Sequence, residues 1–149
     1  MNYETTARQF FSCLQSAKTI LLISHQSPDC DTLGANLALF QYLRAEGKSC
    51  VSFCVSPIKK EYAFLPLSHE VTSDVSVFHK AYDAVVVVDS GDLRYAGVEE
   101  LVRNIPEGFT LVNVDHHPTN ENFGDINIVD PESASTTEAL FKLFRAGRA

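Results

Sequence analysis

Residues 84–88 read Ala-Val-Val-Val-Val, and Asp89 follows at once. Four consecutive β-branched side chains favour extended backbone. A strand with no polar residue on either side of its pleat must be covered on both faces, which is the condition of strands in parallel sheets. The segments Thr19–Ile23 and Phe109–Val114 read as two more buried strands, Cys50–Val55 as another, and Ile126–Val129 as a short edge strand. Helical patterns lie between them. Residues 4–17 place Phe10, Phe11, Leu14 and Ala17 near helical spacing, and Leu33, Leu37, Phe40, Leu43 and Ala45 repeat that pattern from Thr32 until Gly47 stops it as a C-cap glycine. Residues 98–102 suggest a short helix, and a last helix starts near Ser133 and runs through Leu140, Phe141 and Phe144. Alternation of such strands and helices predicts an α/β fold, a three-layer α/β/α arrangement around a five-stranded parallel sheet. Residues 56–82, with Pro57, Pro66 and small apolar clusters around Phe64, Val71 and Phe78, read as a surface excursion.

The chain has 149 residues, 45% of them apolar, enough for one core and one domain. Its formal charge of −7 opposes attraction to nucleic acid, phosphate or an anionic membrane unless metal ions or a local basic patch intervene. The longest unbroken apolar run, residues 84–88, is far short of the roughly 20 residues that span a bilayer. Polar residues scattered through the first twenty do not read as a secretory signal, so a cytoplasmic protein is expected. Cys13, Cys30, Cys50 and Cys54 form no paired CxxC arrangement and are expected as reduced thiols. Cys50 and Cys54, at i and i+4 on one strand face, read as small apolar residues. His69 and His79 lie in the irregular excursion and are assigned to the surface.

Function is legible in where the polar residues fall, because three buried strands end directly in groups that can bind metal. The first runs into His25, Asp29 and Asp31, the second into Asp89, and the third into Asp115-His116-His117. In an open parallel sheet the carboxyl ends of the strands share one edge, and ligands bind in the crevice there. Asp29 and Asp31 stand two apart before a helix. One of them suffices as an N-cap, while two carboxylates held so close repel unless a cation lies between them. Asp89 alone would read as a turn residue; in company its two oxygens suit a bridge between two ions about 3.5–4 Å apart. Of the adjacent histidines, one can ligate metal while the other reaches a substrate oxygen, with Asp115 fixing a tautomer. The set His25, Asp29, Asp31, Asp89 and His116 lacks thiolates and suits Mn²⁺ first, with Mg²⁺, Fe or Zn as alternatives. Two such ions supply positive charge where a phosphate must dock, and the implied reaction is metal-assisted phosphoester hydrolysis.

Four segments in order carry a family resemblance. They are His25-x-x-Pro28-Asp29-x-Asp31-Thr32-Leu33-Gly34-Ala35; Asp89-Ser90-Gly91-Asp92 with Arg94; Asp115-His116-His117-x-Thr119-Asn120-x-x-Phe123-Gly124; and Ser135-Thr136-Thr137-Glu138. From about Ile20 to Leu143 they resemble the successive motifs of the DHH phosphoesterases. The branch they are most similar to is the oligoribonuclease and phosphoadenosine-phosphate phosphatase group, itself similar to cyclic-dinucleotide phosphodiesterases, with RecJ-type exonucleases more distant. The resemblance implies strand order 2-1-3-4-5 and two Mn²⁺ ions, with His25 and Asp29 on the first, Asp31 and His116 on the second, and Asp89 bridging. It implies His117 against the scissile phosphate with Asp115 behind it as the catalytic pair, and Arg94, Asn120 and Ser135 toward substrate. Ser135-x-x-Glu138 also fits a capping box, and Arg94 also reads as a surface arginine.

Two departures from the family pattern stand out. Cys30 occupies a position where the family commonly has Gly between the aspartates. The family's further aspartate ligand and its smaller C-terminal substrate-binding lobe lie beyond residue 149, and Asp130, before Pro131, is not expected to replace that aspartate. The expectation is therefore a DHH metal-binding catalytic lobe over 1–149, acting on short oligonucleotides or nucleotides and incomplete by itself. The alternative is a non-catalytic nucleotide- or protein-binding module of the same fold, for which a homodimer through the lobe-docking surface would speak. A third, metal-free reading makes the aspartates and histidines caps and turns.

Overall fold

The computed structural model describes residues 2–147. Its sheet is built from β1 (Thr19–Ser24), β2 (Ser49–Cys54), β3 (Ala84–Val88), β4 (Thr110–Asp115) and β5 (Ile126–Val129), in the order β2-β1-β3-β4-β5. All four pairings are parallel. The helices are α1 (Tyr3–Ser16), α2 (Cys30–Ala45), the single turn α3 (Glu99–Val102) and α4 (Thr136–Ala146).

The apolar strands divide their side chains between two cores. Ile20, Leu22, Ala84, Val86, Val88, Val112, Val114 and Ile128 pack with α1, α2 and α4 on one face. Leu21, Ile23, Phe53, Val85 and Val87 pack on the other with Ala96, Val98, Val102 and Ile105. Every residue of β3 is buried, as a run of valines without a polar face requires.

The second face corrects the reading of residues 56–82 as a surface excursion. Val77, Phe78 and Tyr82 are buried in that core, and Phe78 meets Phe53 edge-on at 4.8 Å between ring centroids. The segment runs through three 3₁₀ turns, Lys60–Tyr62, Ser68–Glu70 and Val75–His79, and touches β2 at the Thr72–Phe53 bridge before the last turn enters the core. Their short apolar clusters have no long period, so the pattern did not show that this segment forms part of the outer layer. His69 and His79 are exposed, as expected.

Element ends moved by one to three residues. Helix α2 starts at Cys30 because Asp29 caps it, and α4 starts at Thr136 because Ser135 does. Gly47, with φ of 74°, closes α2 in the left-handed conformation expected of a C-cap glycine. Cys30 is not among the residues of positive φ, so that position has no need of glycine. All four cysteines are free thiols. No helix among the described residues is long and apolar enough to cross a membrane.

Candidate functional site

Parallel register brings the strand ends together. Ser24 lies opposite Val88, and Val88 opposite Val114, so the residues that follow, His25, Asp89 and Asp115, emerge along one edge. Strand β1 pairs with β2 on one side and β3 on the other, which puts the reversal of strand order between β1 and β3. That is where an open α/β sheet forms its binding crevice. The turn out of β1 is tied down by Thr32, buried in α2. Its hydroxyl donates to the Val88 carbonyl (3.2 Å) and accepts from the His25 amide (3.3 Å).

Asp89 is the centre of the cluster. Its side chain is 4% exposed, and its backbone has φ of 61°, a left-handed conformation that Asp and Asn tolerate better than other non-glycine residues. Its Oδ2 lies 3.5 Å from His25 Nε2, and its Oδ1 lies 3.8 Å from His116 Nε2. On the β1 side, Asp29 Oδ1 is 4.0 Å from His25 Nε2 while it accepts from the amides of Asp31 (2.9 Å) and Thr32 (3.1 Å). Capping and proximity to the cluster are thus combined in one residue. On the β4 side, Asp31 Oδ2 is 3.9 Å from His116 Nε2. The two Asp31 oxygens accept from the amides of Thr136 (2.7 Å) and Thr137 (2.9 Å) at the N-terminus of α4. Gly34 eases that approach, since a Cβ there would crowd Thr137 Cγ2 at 3.2 Å.

Behind these groups is a second polar layer. His116 Nδ1 is 3.2 Å from the Ser133 carbonyl, so as a donor there it leaves Nε2 for the cluster. Asp115, fully buried, accepts from His117 Nδ1 (2.7 Å), the His116 amide (2.8 Å) and Asn120 Nδ2 (2.6 Å). Burial of His117 disfavours its charged form. The Asp115 hydrogen bond and the charges of Asp115, Asp89 and Asp31 outweigh that and leave its pKa above the ordinary histidine value.

Two donor sets result, His25–Asp29–Asp89 and Asp89–His116–His117, each with its donor atoms within 4.8 Å of one another. They share Asp89. Separations of 3.5–4.0 Å are too long for hydrogen bonds. They are close to the spacing of two ligand atoms that each stand about 2.0–2.2 Å from a common ion. His25 Nδ1 is buried without a hydrogen-bond partner. Its Nε2 faces the carboxylates of Asp29 and Asp89. The residues present therefore fit divalent cations with mixed nitrogen and oxygen ligands.

The three residues expected toward substrate have other partners. Asn120 donates to Asp115 and to the Ser90 carbonyl (3.0 Å), and its Oδ1 accepts from Asn113 (2.8 Å) and the Asn122 amide (2.7 Å). Ser135 Oγ accepts from the Glu138 amide (3.0 Å) as the cap of α4. Arg94 is 82% exposed and pairs with Glu99 at 3.6 Å. Asp130, set aside as a ligand, accepts from Tyr3, Ser133 and Lys142 and joins α1 to the start of α4. The sequence reading missed Thr136, whose buried hydroxyl donates to Asp89 Oδ1 at 2.7 Å. It lay inside the Ser135–Glu138 motif, where the helix cap drew attention to its neighbour. It also missed Asn113, a polar residue inside an apolar strand, whose amide anchors Asn120 and Asn127.

Residues 19–149 match the family model described as "DHH family, N-terminal domain". The bifunctional oligoribonuclease and PAP phosphatase NrnA of Thermus thermophilus is 32% identical over 121 residues, which cover 81% of this chain and 35% of that protein. Its Bacillus subtilis counterpart is 26% identical over 130 residues, covering 87% and 39%. The chain thus spans little more than a third of the length of these curated relatives. Among solved structures, an exopolyphosphatase-related protein from Bacteroides fragilis superposes with a TM-score of 0.87 at 23% identity, over 97% of this chain and 44% of that one. Exonuclease RecJ bound to manganese does so with a TM-score of 0.61 at 19% identity, over 99% and 37%. Both share the fold. With its strand order, its Asp115-His116-His117 at the end of β4 and the match across residues 19–149, this chain belongs to the DHH family and carries that family's N-terminal domain.

Proposed function

We propose that this chain is the metal-binding lobe of a manganese-dependent phosphoesterase acting on short oligonucleotides or nucleotides. The observation that carries the reading is the pair of donor sets sharing the buried Asp89. In this reading His25 and Asp29 would hold one ion and His116 the other. Asp31, 3.9 Å from His116 Nε2, would join His116 in place of His117, whose Nδ1 is taken by Asp115. Asp89 would serve both, and Mg²⁺ is the alternative metal. Bound there, such ions neutralise phosphate charge and acidify water.

The chain's own residues do the positioning. Helix α4 fixes Asp31 by two amides and Asp89 by the Thr136 hydroxyl. Asp115 holds His117 through Nδ1, which leaves Nε2 as the ring nitrogen available to a phosphate oxygen. Asn120 keeps Asp115 in place, so its role is positioning. The relatives described as oligoribonuclease and PAP phosphatase support the substrate class, and the RecJ structure with the same fold carries manganese.

Calorimetric titration with Mn²⁺, with hydrolysis of a short oligoribonucleotide and of phosphoadenosine phosphate followed on the same samples, tests the reading. Two saturable sites are expected; turnover with them would make the lobe sufficient by itself, and binding without turnover would make it one part of an enzyme. Absence of Mn²⁺ binding would overturn the reading.

A further inference from the structure

Beside the cluster lies an open cleft of about 370 Å³ lined by Gly91, Asp92, Tyr95, His117 and Thr119. Its volume is within the range of sites that enclose a small molecule. One wall is His117, which the reading above sets against the phosphate. The opposite chemistry comes from the turn after β3. Tyr95 is 54% exposed, so the face of its ring is open to a ligand. Its ring centroid is 5.4 Å from that of His25, at 48° between planes, so it borders the metal cluster directly.

This turn is rigid. The Tyr95 amide donates to Asp92 Oδ1 at 2.6 Å, and the buried Ser90 hydroxyl donates to the Asp92 carbonyl at 2.8 Å. The next residue, Ala96, and then Val98 are fully buried in the core. Gly97, with φ of 77°, packs so closely on Gln26 that a Cβ would stand 2.9 Å from that side chain. The exposed ring is therefore presented from a fixed backbone.

The charge of the cleft selects among phosphoesters. None of its five lining residues is Lys or Arg, and Asp92 adds a carboxylate. Arg94, in the same turn, is paired with Glu99. A run of bare phosphates continuing from the metal cluster into this cleft would meet the Asp92 carboxylate. Beyond the His117 ring already set against the first phosphate, the lining offers no basic side chain for further charge. A nucleoside fits the same surface. Its base has a π-face for Tyr95. Its hydroxyls or an exocyclic amine are donors for the second Asp92 oxygen, since an ionised carboxylate only accepts.

We propose that Tyr95 and Asp92 form a nucleoside subsite next to the metal cluster, so that the phosphoester this site accepts carries a base and sugar where a polyphosphate would carry only further phosphate. The proposal rests on the phosphoesterase reading and adds the residues that discriminate. The test is competitive calorimetry on the Mn²⁺-loaded chain with two probes, adenosine 5′-monophosphate and inorganic phosphate, in wild type, Tyr95→Ala and Tyr95→Phe. The readout is the ratio of the two affinities, which cancels any general change at the metals. Wild type should favour the nucleotide, and Tyr95→Ala should lose about 5- to 150-fold of that preference, the range for removing one base–aromatic stack. Tyr95→Phe, which keeps the ring, should retain the ratio within about twofold. Because Tyr95 is exposed, neither variant threatens the fold. Mn²⁺-dependent phosphate binding with a ratio near one, or a ratio that survives Tyr95→Ala, would overturn the subsite and leave the metal reading standing. Absence of Mn²⁺-dependent binding of both probes would overturn both.

Discussion

Replacing Asp89 by Asn separates a metal ligand from a structural turn residue. Asn is the right substitution because residue 89 has φ of 61°, which Asn adopts readily, whereas Ala would add backbone strain. The Asn carbonyl can still accept from Thr136, now as a neutral hydrogen bond, weaker by about 1 kcal/mol than the charged one. Against that loss, a 4%-exposed carboxylate is removed from the company of Asp31 and Asp29. In chelator the two effects oppose each other, and the variant should melt within about 4 °C of wild type. With Mn²⁺ at about 100 times its Kd, wild type should gain about 2.7 kcal/mol per site. For a domain of this size that is about 5–11 °C per site. The variant should lose this gain at both sites, since Asp89 belongs to both donor sets. Scanning calorimetry with and without Mn²⁺ reads all four numbers. A variant that keeps the full Mn²⁺ shift, or that falls several kcal/mol in chelator, would refute the bridging role.

Two further predictions concern the supports. Asn120→Ala removes donors from the buried Asp115 carboxylate and the Ser90 carbonyl, and should cost about 1–3 kcal/mol in urea unfolding; an unchanged midpoint would show that water replaces the amide. Asp83, before β3, accepts from the amides of Lys18 and Thr19 and from the Thr19 hydroxyl, and the amide bonds hold its pKa below the ordinary aspartate value. Its contribution is complete above the unfolded pKa of about 3.9 and is lost as pH falls through the lower folded value. Asp83→Asn should therefore flatten the acid limb of the stability–pH curve below about pH 4, while a parallel curve would deny the clamp.

What the sequence disclosed follows the range of the interactions involved. Strands β1, β3 and β4 are largely buried on both faces, so their identity is written in consecutive residues, and each runs directly into a histidine or aspartate. That is why His25, Asp89 and Asp115 could be placed on one edge before any coordinates. The supports were harder to see, because each acts across long sequence separations. Thr136 reaches Asp89 and Asp31 from the start of α4, and Asn120 reaches back to Ser90. A polar residue in a motif does not reveal how many of its hydrogen bonds are already taken, so the sequence does not show that Asn120 holds Asp115 or that Ser135 caps α4. Residues 56–82 failed for another reason: 3₁₀ turns are too short to show a period, so Val77 and Phe78 looked like isolated apolar residues in a loop.

The partners of the four aspartates show how a chain of net charge −7 could hold a phosphoester site of the kind proposed above. Asp29 and Asp31 are fixed by backbone amides, Asp89 by the Thr136 hydroxyl, and Asp115 by an amide, Asn120 and His117. Among the described residues, none of the four pairs with Lys or Arg, although such pairs occur elsewhere, as at Arg103 with Glu99 and Glu100. The difference is chemical. A guanidinium or ammonium would orient a carboxylate and cancel its charge together, and it would compete with any divalent ion for the same oxygens. Amides and hydroxyls at a helix N-terminus orient the carboxylate while leaving most of its charge in place. The cluster is thereby held in position with no Lys or Arg against its carboxylates, and on the proposed function a cation of high charge density would complete it. Two such ions would reverse the local field at the sheet edge. The acidic surface that repels phosphate elsewhere would then confine an anionic substrate to this place.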